Sequence, residues 1–236
     1  MKILGIDFGT VRIGLALQIE GIEMPLKTIE NKGYRNSLKR IFSERELDAV
    51  VVGMPISMSG RYNQSAMKAV SFAEKVKNIF RGPVLLVDER LSTSNSKRVA
   101  QASGMDFGIL RDTLSAMEIL RNYSRPGVLR WEVKEDFPVC RDFPDVASAN
   151  AVLLLSPKSA RIENLDRVEA RLSIYTEDPQ CYLAFLRKGF KPVNLIDDID
   201  FSTYDIIVIA RDDHQTRKTV SKTRVSTVYE CSWLNG

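Results

Sequence analysis

Three acidic positions carry the chemistry this chain is able to do: Asp7, the pair Asp88-Glu89, and Asp112. Asp7 closes a short apolar strand, Ile3 to Ile6, and is followed by Phe8, Gly9 and Thr10 before a second strand, Ile13 to Leu17. A carboxylate at the end of a buried strand is costly without a partner, and its cheapest partner is a metal ion or a phosphate-bearing ligand held by one. Gly9 lets the backbone turn tightly and lets a ligand approach. Asp88-Glu89 ends a second apolar run, Val84 to Val87. Asp112 opens a helical segment in which Ser115, Ala116 and Ile119 share its face, and the two small residues allow that helix to lie close to a sheet. In an open α/β sheet, sites form at the carboxyl ends of the central strands. Three carboxylates meeting there repel one another unless divalent cations neutralise them. Oxygen-only ligands select Mg²⁺ or Mn²⁺, ions that activate water and position a phosphodiester. Singly, each has a structural reading: a strand-end aspartate, an Asp88-Glu89-Arg90 surface ion pair, and a helix N-terminal charge at Asp112.

The elements that must position these residues alternate between strand and helix. A third strand is expected near Met24–Glu30, an amphipathic helix over Arg35–Arg45, and a continuous apolar strand over Ala49–Gly53, as for a strand covered on both faces. Ser65–Phe80 reads as a second helix, Ser94–Ala102 as a third capped near Thr93, and Arg111–Tyr123 as a fourth. Residues 126–149, with Pro126, Gly127, Pro138 and Pro144, read as a linker. Alternation then restarts with strands at Asn150–Leu155, Leu172–Tyr175, Pro192–Ile196 and Tyr204–Ala210, and a helix from Pro179 to about Lys188. The expected organisation is a domain over 1–125, the linker over 126–149, and a small α/β accessory domain over 150–236. The later half has no glycine-rich phosphate loop.

Composition narrows the class. At 236 residues, 44% hydrophobic and 27% charged, the chain has ordinary globular composition. No apolar run reaches the roughly 20 residues needed to span a membrane, and the N-terminus is not patterned as a signal peptide. Three widely spaced cysteines, Cys140, Cys181 and Cys231, fit neither a disulfide framework nor a zinc site, so a cytoplasmic location is expected. The single histidine, His214, excludes chemistry based on paired histidines. Residues 1–125 hold 19 Lys+Arg against 13 Asp+Glu, a net of +6, while the remainder holds 15 against 17, a net of −2. A basic half that carries acidic site residues suits nucleic acid, and also suits an ordinary solvated surface.

Taken in order, four segments resemble the YqgF/RuvX-type Holliday junction resolvases, also described as pre-16S rRNA nucleases. They are Ile6-Asp7-Phe-Gly9-Thr10-Val-Arg12-Ile-Gly14-Leu-Ala16, Val52-Gly53-Met-Pro55-Ile-Ser-Met-Ser-Gly60, Val87-Asp88-Glu89-Arg90-Leu-Ser-Thr93 and Asp112-Thr-Leu-Ser-Ala116-Met-Glu-Ile-Leu120. The resemblance covers about residues 1–124. It implies an RNase H-like fold, a mixed five-stranded sheet flanked by helices with its first three strands antiparallel. It implies a Mg²⁺- or Mn²⁺-dependent nuclease in which Asp7, Glu89 and Asp112 are the catalytic metal ligands, with Asp88 a further candidate. Thr10, Arg12, Arg61, Asn63, Arg90 and Thr93 are the candidates for contact with substrate, which would be RNA or branched DNA; arginine suits bidentate phosphate contact. Symmetric cutting of a junction calls for a homodimer. The chain departs from the family in continuing for about 110 residues, an extension suited to binding a protein partner. It also departs in Gln101–Arg111, where only Arg111 is basic. Two other classes begin similarly: an RNA-binding ribosome-assembly factor without turnover, and an actin-like kinase. The latter needs a second, similarly built domain with its own phosphate loop.

Overall fold

The computed structural model describes residues 1–90, 107–146, 148–165, 168, 171–223 and 227–234. Thr93 and the helix expected over 94–102 lie outside them. The chain divides into two compact units, Met1–Glu135 and Asp136–Gly236. No helix among the described residues is long and apolar enough to cross a membrane.

Unit 1 is built on a six-stranded sheet in the order β3-β2-β1-β4-β5-β6. Its strands are β1 (Lys2–Phe8), β2 (Arg12–Ile19), β3 (Ile22–Glu30), β4 (Ala49–Met54), β5 (Val84–Asp88) and β6 (Arg130–Glu132). The first three form an antiparallel meander, and β4 and β5 run parallel to β1. This is the RNase H-like arrangement expected, with one strand more than the five foreseen. Residues 130–132, read as linker, pair antiparallel with β5 through Leu85, Leu86 and Val87. Pro126 and Gly127 end a helix but leave the chain free to extend again three residues later, which a proline count does not reveal. Pro25 sits in β3 at the sheet edge, where its missing N–H costs no ladder bond.

Side chains alternate across a sheet, so one parity of residues shares a face. In β1, β2, β4 and β5 that face holds Ile3, Gly5, Asp7, Arg12, Gly14, Ala16, Ala49, Val51, Gly53 and Val87. Helix α3 (Phe107–Ser124) covers it, burying Ala116, Ile119 and Leu120 against Ile3, Ala16, Val51 and Val87. Full burial of Ile119 and Leu120 contributes roughly 1.5–3 kcal/mol each. The helix lies close, as its small residues suggest: a Cβ on Gly5 would come within 2.8 Å of the Ala116 carbonyl oxygen. Helices α1 (Tyr34–Glu44) and α2 (Gln64–Lys77) serve the other parity, where Phe8 stacks on Phe72 of α2 with ring centroids 4.4 Å apart.

Unit 2 contains a four-stranded, wholly parallel sheet in the order β11-β10-β8-β9. Its strands are β8 (Val152–Leu155), β9 (Leu172–Tyr175), β10 (Ile206–Ala210) and β11 (Thr227–Cys231). A short ladder joins β7 (Val139–Cys140) to β12 (Trp233–Leu234). Helix α4 (Pro179–Arg187) covers one face through Cys181 and Phe185, and α5 (His214–Val220) covers the other through Val220. Pro192–Ile196, expected as a strand, makes only an isolated pairing of Val193 with Tyr175, because Pro192 cannot donate to a ladder and Ile196 turns at once into a 3₁₀ segment. The three cysteines are free and buried.

Candidate active site

Asp7 lies at the end of β1 directly opposite Gly14 of β2. Gly14 in turn touches α3: a Cβ there would fall 2.0 Å from the Asp112 carbonyl oxygen, so any larger residue would push away the turn that carries Asp112. On the other side of β1, β4 presents Gly53, where a Cβ would fall 1.8 Å from Glu89 Oε1 and 2.5 Å from Ile119. Two missing side chains thus make room for the backbone of Asp112 and the carboxylate of Glu89 on the α3 face of the sheet, with Asp7 on the strand between the two glycines. The sequence shows both glycines, but their purpose is visible only once α3 and Glu89 are in place.

The electrostatics follow from this crowding. Burial, then repulsion from Asp112, pushes the Asp7 carboxyl up to about 6, against a hydrogen bond from Ser115 and the pull of Arg111. Burial, then repulsion from Asp7 and Asp88, pushes Glu89 up to about 8. Asp112 thus bears on Asp7, and Asp7 bears on Glu89. Asp112 already has cationic partners: Arg12 Nε donates to its Oδ2 at 3.0 Å, and Arg111 lies 3.4 Å from Oδ1.

The remaining expected site residues fall into different situations. Thr10 is exposed at the tip of the β1–β2 turn. Asn31, absent from the sequence reading, clamps that turn by donating from Nδ2 to the carbonyl oxygens of Gly9 and Thr10 at 2.8 and 3.3 Å. Arg61 is exposed on the loop after β4, and its carbonyl oxygen accepts from Ser57 to close a short turn. Asn63, expected to meet substrate, caps α2 instead, its Oδ1 accepting from Ala66 N at 2.8 Å. Asp88, expected as a further metal ligand, is turned by strand alternation to the opposite parity from Glu89. Both its oxygens accept from Arg90, at 2.9 Å from the backbone N–H and 2.8 Å from Nε. The same contacts commit Arg90 to Asp88 rather than to an incoming phosphate.

The donor set has the chemistry of a hard divalent-cation site, since it is all carboxylate oxygen and two of the groups are held up by burial and mutual repulsion. In the geometry observed, no group of three or more His, Cys, Asp or Glu side chains among the described residues is arranged to hold a metal ion. Carboxylate oxygen at Asp7, Glu89 and Asp112 is the donor chemistry such an ion requires, with Asp112 paired to Arg12 in this structure.

A profile of the RuvX family, described as a Holliday junction resolvase family, matches residues 1–125, more than half the chain. The chain belongs to the RuvX family. Among similar proteins, one from Thermoanaerobacter pseudethanolicus is 36% identical over 132 residues, covering 52% of this chain and 95% of its own length. One from Koribacter versatilis is 36% identical over 140 residues, covering 56% of this chain and 92% of its own. Both carry the name "Putative pre-16S rRNA nuclease". A Thermus thermophilus RuvC in complex with a Holliday junction substrate aligns over 56% of this chain and 99% of that one. Its TM-score is 0.34 and its identity 17%, a likeness too loose to bear on function. These matches of the RuvX relatives cover about half of this chain.

Proposed function

We propose that this RuvX-family chain is an endonuclease that hydrolyses phosphodiester bonds in structured nucleic acid with Mg²⁺ or Mn²⁺. The observation that carries this reading is the position of Asp7 at the end of β1, its carboxyl raised by Asp112 of α3 and itself raising Glu89 just past β5. Asp7 and Glu89 would hold the cation, with Asp112 joining them. When bound, it supplies charge neutralisation at the phosphodiester and activation of water. Arg12, once released from Asp112, would meet a phosphate with its guanidinium. Ser115 fixes the Asp7 carboxyl, and Asn31 fixes the turn that follows it. The relatives' names supply the substrate classes, a ribosomal RNA precursor and a four-way DNA junction.

The test is cleavage of both substrates by the purified chain in Mg²⁺ and in Mn²⁺, with Asp7→Asn as control and circular dichroism to verify folding. Cation-dependent cutting that Asp7→Asn removes supports the proposal, and equal cutting by the variant sinks it. Tight RNA binding without cleavage, insensitive to Asp7→Asn, would instead favour the assembly-factor reading, which the closed Arg12–Asp112 and Arg90–Asp88 pairs would suit. The kinase reading loses its second domain: the sheet of unit 2 is wholly parallel and does not repeat the meander of unit 1.

A further inference from the structure

The parallel sheet of unit 2 reverses its winding between β8 and β10. From β8 the chain moves outward to β9, then returns past β8 to β10 and continues to β11. Such a reversal leaves a crevice outside the carboxyl ends of the strands, the usual ligand position in open α/β sheets. A cavity of about 450 Å³ lies there, within the roughly 300–1,000 Å³ range of small-molecule sites. Its walls come from the residues leaving β8, those leaving β9, Ile196 and helix α5. Ser156, the first residue past β8, has φ of 51°, a left-handed conformation that a non-glycine residue rarely adopts. Its N–H donates to the Tyr175 carbonyl oxygen at 2.9 Å, so the strained turn ties the exit of β8 to that of β9.

Charge and shape decide what the cavity would take. Among the described residues the lining includes two carboxylates, Glu177 and Asp178, and no Lys, Arg or His. Ser156, Thr176, Thr216 and Thr219 line the same space as the apolar Pro157 and Ile196, the Thr216 and Thr219 hydroxyls donating to Asp213 and to the Gln215 carbonyl oxygen. A phosphorylated ligand would meet negative charge, and the turn after β8 has no glycine-rich loop to hold one. A neutral ligand with a flat ring and several hydroxyl donors meets complementary groups on both sides. In dinucleotide-binding sheets of this winding, an acidic residue about 20 residues past the first turn accepts from the ribose 2′-hydroxyl. Glu177 stands at that point, two residues past the end of β9, with its Oε1 accepting from the Tyr175 hydroxyl. We propose that this cavity binds a nucleoside, its ring against Pro157 and Ile196 and its ribose toward Glu177.

The experiment is isothermal titration of the full-length chain with adenosine, with AMP and putrescine as comparison ligands. Adenosine is expected to bind, and AMP about tenfold or more weaker because its phosphate opposes the acidic wall. Glu177→Gln should weaken adenosine about tenfold, and Thr219→Trp, on the partly exposed side of α5, should abolish binding by filling the cavity. Asp7→Asn should leave the titration unchanged, which separates this site from the nuclease reading. No binding at millimolar adenosine, equal affinity for AMP, binding of putrescine instead, or insensitivity to both variants would overturn the proposal.

Discussion

Both units of this chain end strands in acid, and the surroundings of those acids differ. In unit 1, Asp7 and Glu89 sit on a closely covered sheet face, and burial with mutual repulsion pushes them to about 6 and about 8. In unit 2, Asp178 follows β9 in the same way, yet its Oδ1 accepts from the N–H groups of Gln180 and Cys181 at 2.9 Å each and caps α4. One acid is absorbed by a helix terminus; the others are held in a position that disfavours their charge. A carboxylate at a strand end is therefore not itself a catalytic signal. What distinguishes it is whether the backbone around it offers N–H donors, as at Asp178, or other carboxylates, as at Asp7.

The comparison breaks most visibly at Asp7. Asp7→Asn should lower cation-dependent cleavage by about 1,000-fold, the scale of losing one preorganised electrostatic contact, while circular dichroism remains unchanged. Asp178→Ala should leave cleavage at the wild-type rate, and a loss comparable to that of Asp7→Asn would erase the distinction between the two acids.

Next in size is Gly14→Ala. Its Cβ would meet the backbone of Asp112, which cannot yield as a flexible side chain would. Unit 1 should lose about 2–3 kcal/mol in urea unfolding, and cleavage should fall with the displaced turn. Wild-type stability in this variant would show that α3 is not seated as described.

The pH dependence comes third. A carboxyl raised in the folded state favours the protonated form there. The stability contributed by Asp7 and Glu89 is therefore full below their ordinary values of 3.8 and 4.5. It is lost as pH rises through about 6 and about 8. Without divalent cations, unit 1 should weaken between pH 5 and about 8.5 in thermal melts. Glu89→Gln should flatten that decline and stabilise the unit at about pH 8.5 by about 2 kcal/mol, allowing for the solvent that reaches the side chain. Mg²⁺ should stabilise the wild type more than Glu89→Gln. A decline of the same size in the variant would remove Glu89 from the crowded site.

The smallest effect belongs to the capped acid. Asp178→Ala should cost unit 2 about 1 kcal/mol by leaving the first N–H groups of α4 without their acceptor, with no change in the melting of unit 1. A pH-dependent stabilisation by this variant, like that expected at Glu89, would place the two acids in one class.

Much of unit 1 can be read along the chain because its signals are local. Continuous apolar runs marked β4 and β5, and helical spacing marked α2 and α3. The same reasoning failed at β6, a three-residue edge strand whose pairing comes entirely from β5. It also failed at Pro192–Ile196, where apolar residues occur without a ladder to join. Within the site, sequence alone identified Asp7, Glu89 and Asp112 as residues of interest, since strand ends and motif spacing are properties of a linear chain. Only the tertiary structure paired Arg90 with Asp88, set Asn63 as a helix cap and brought Asn31 to the turn. Those choices depend on distances between residues far apart in the chain, and such distances exist only after the sheet and its covering helix have packed.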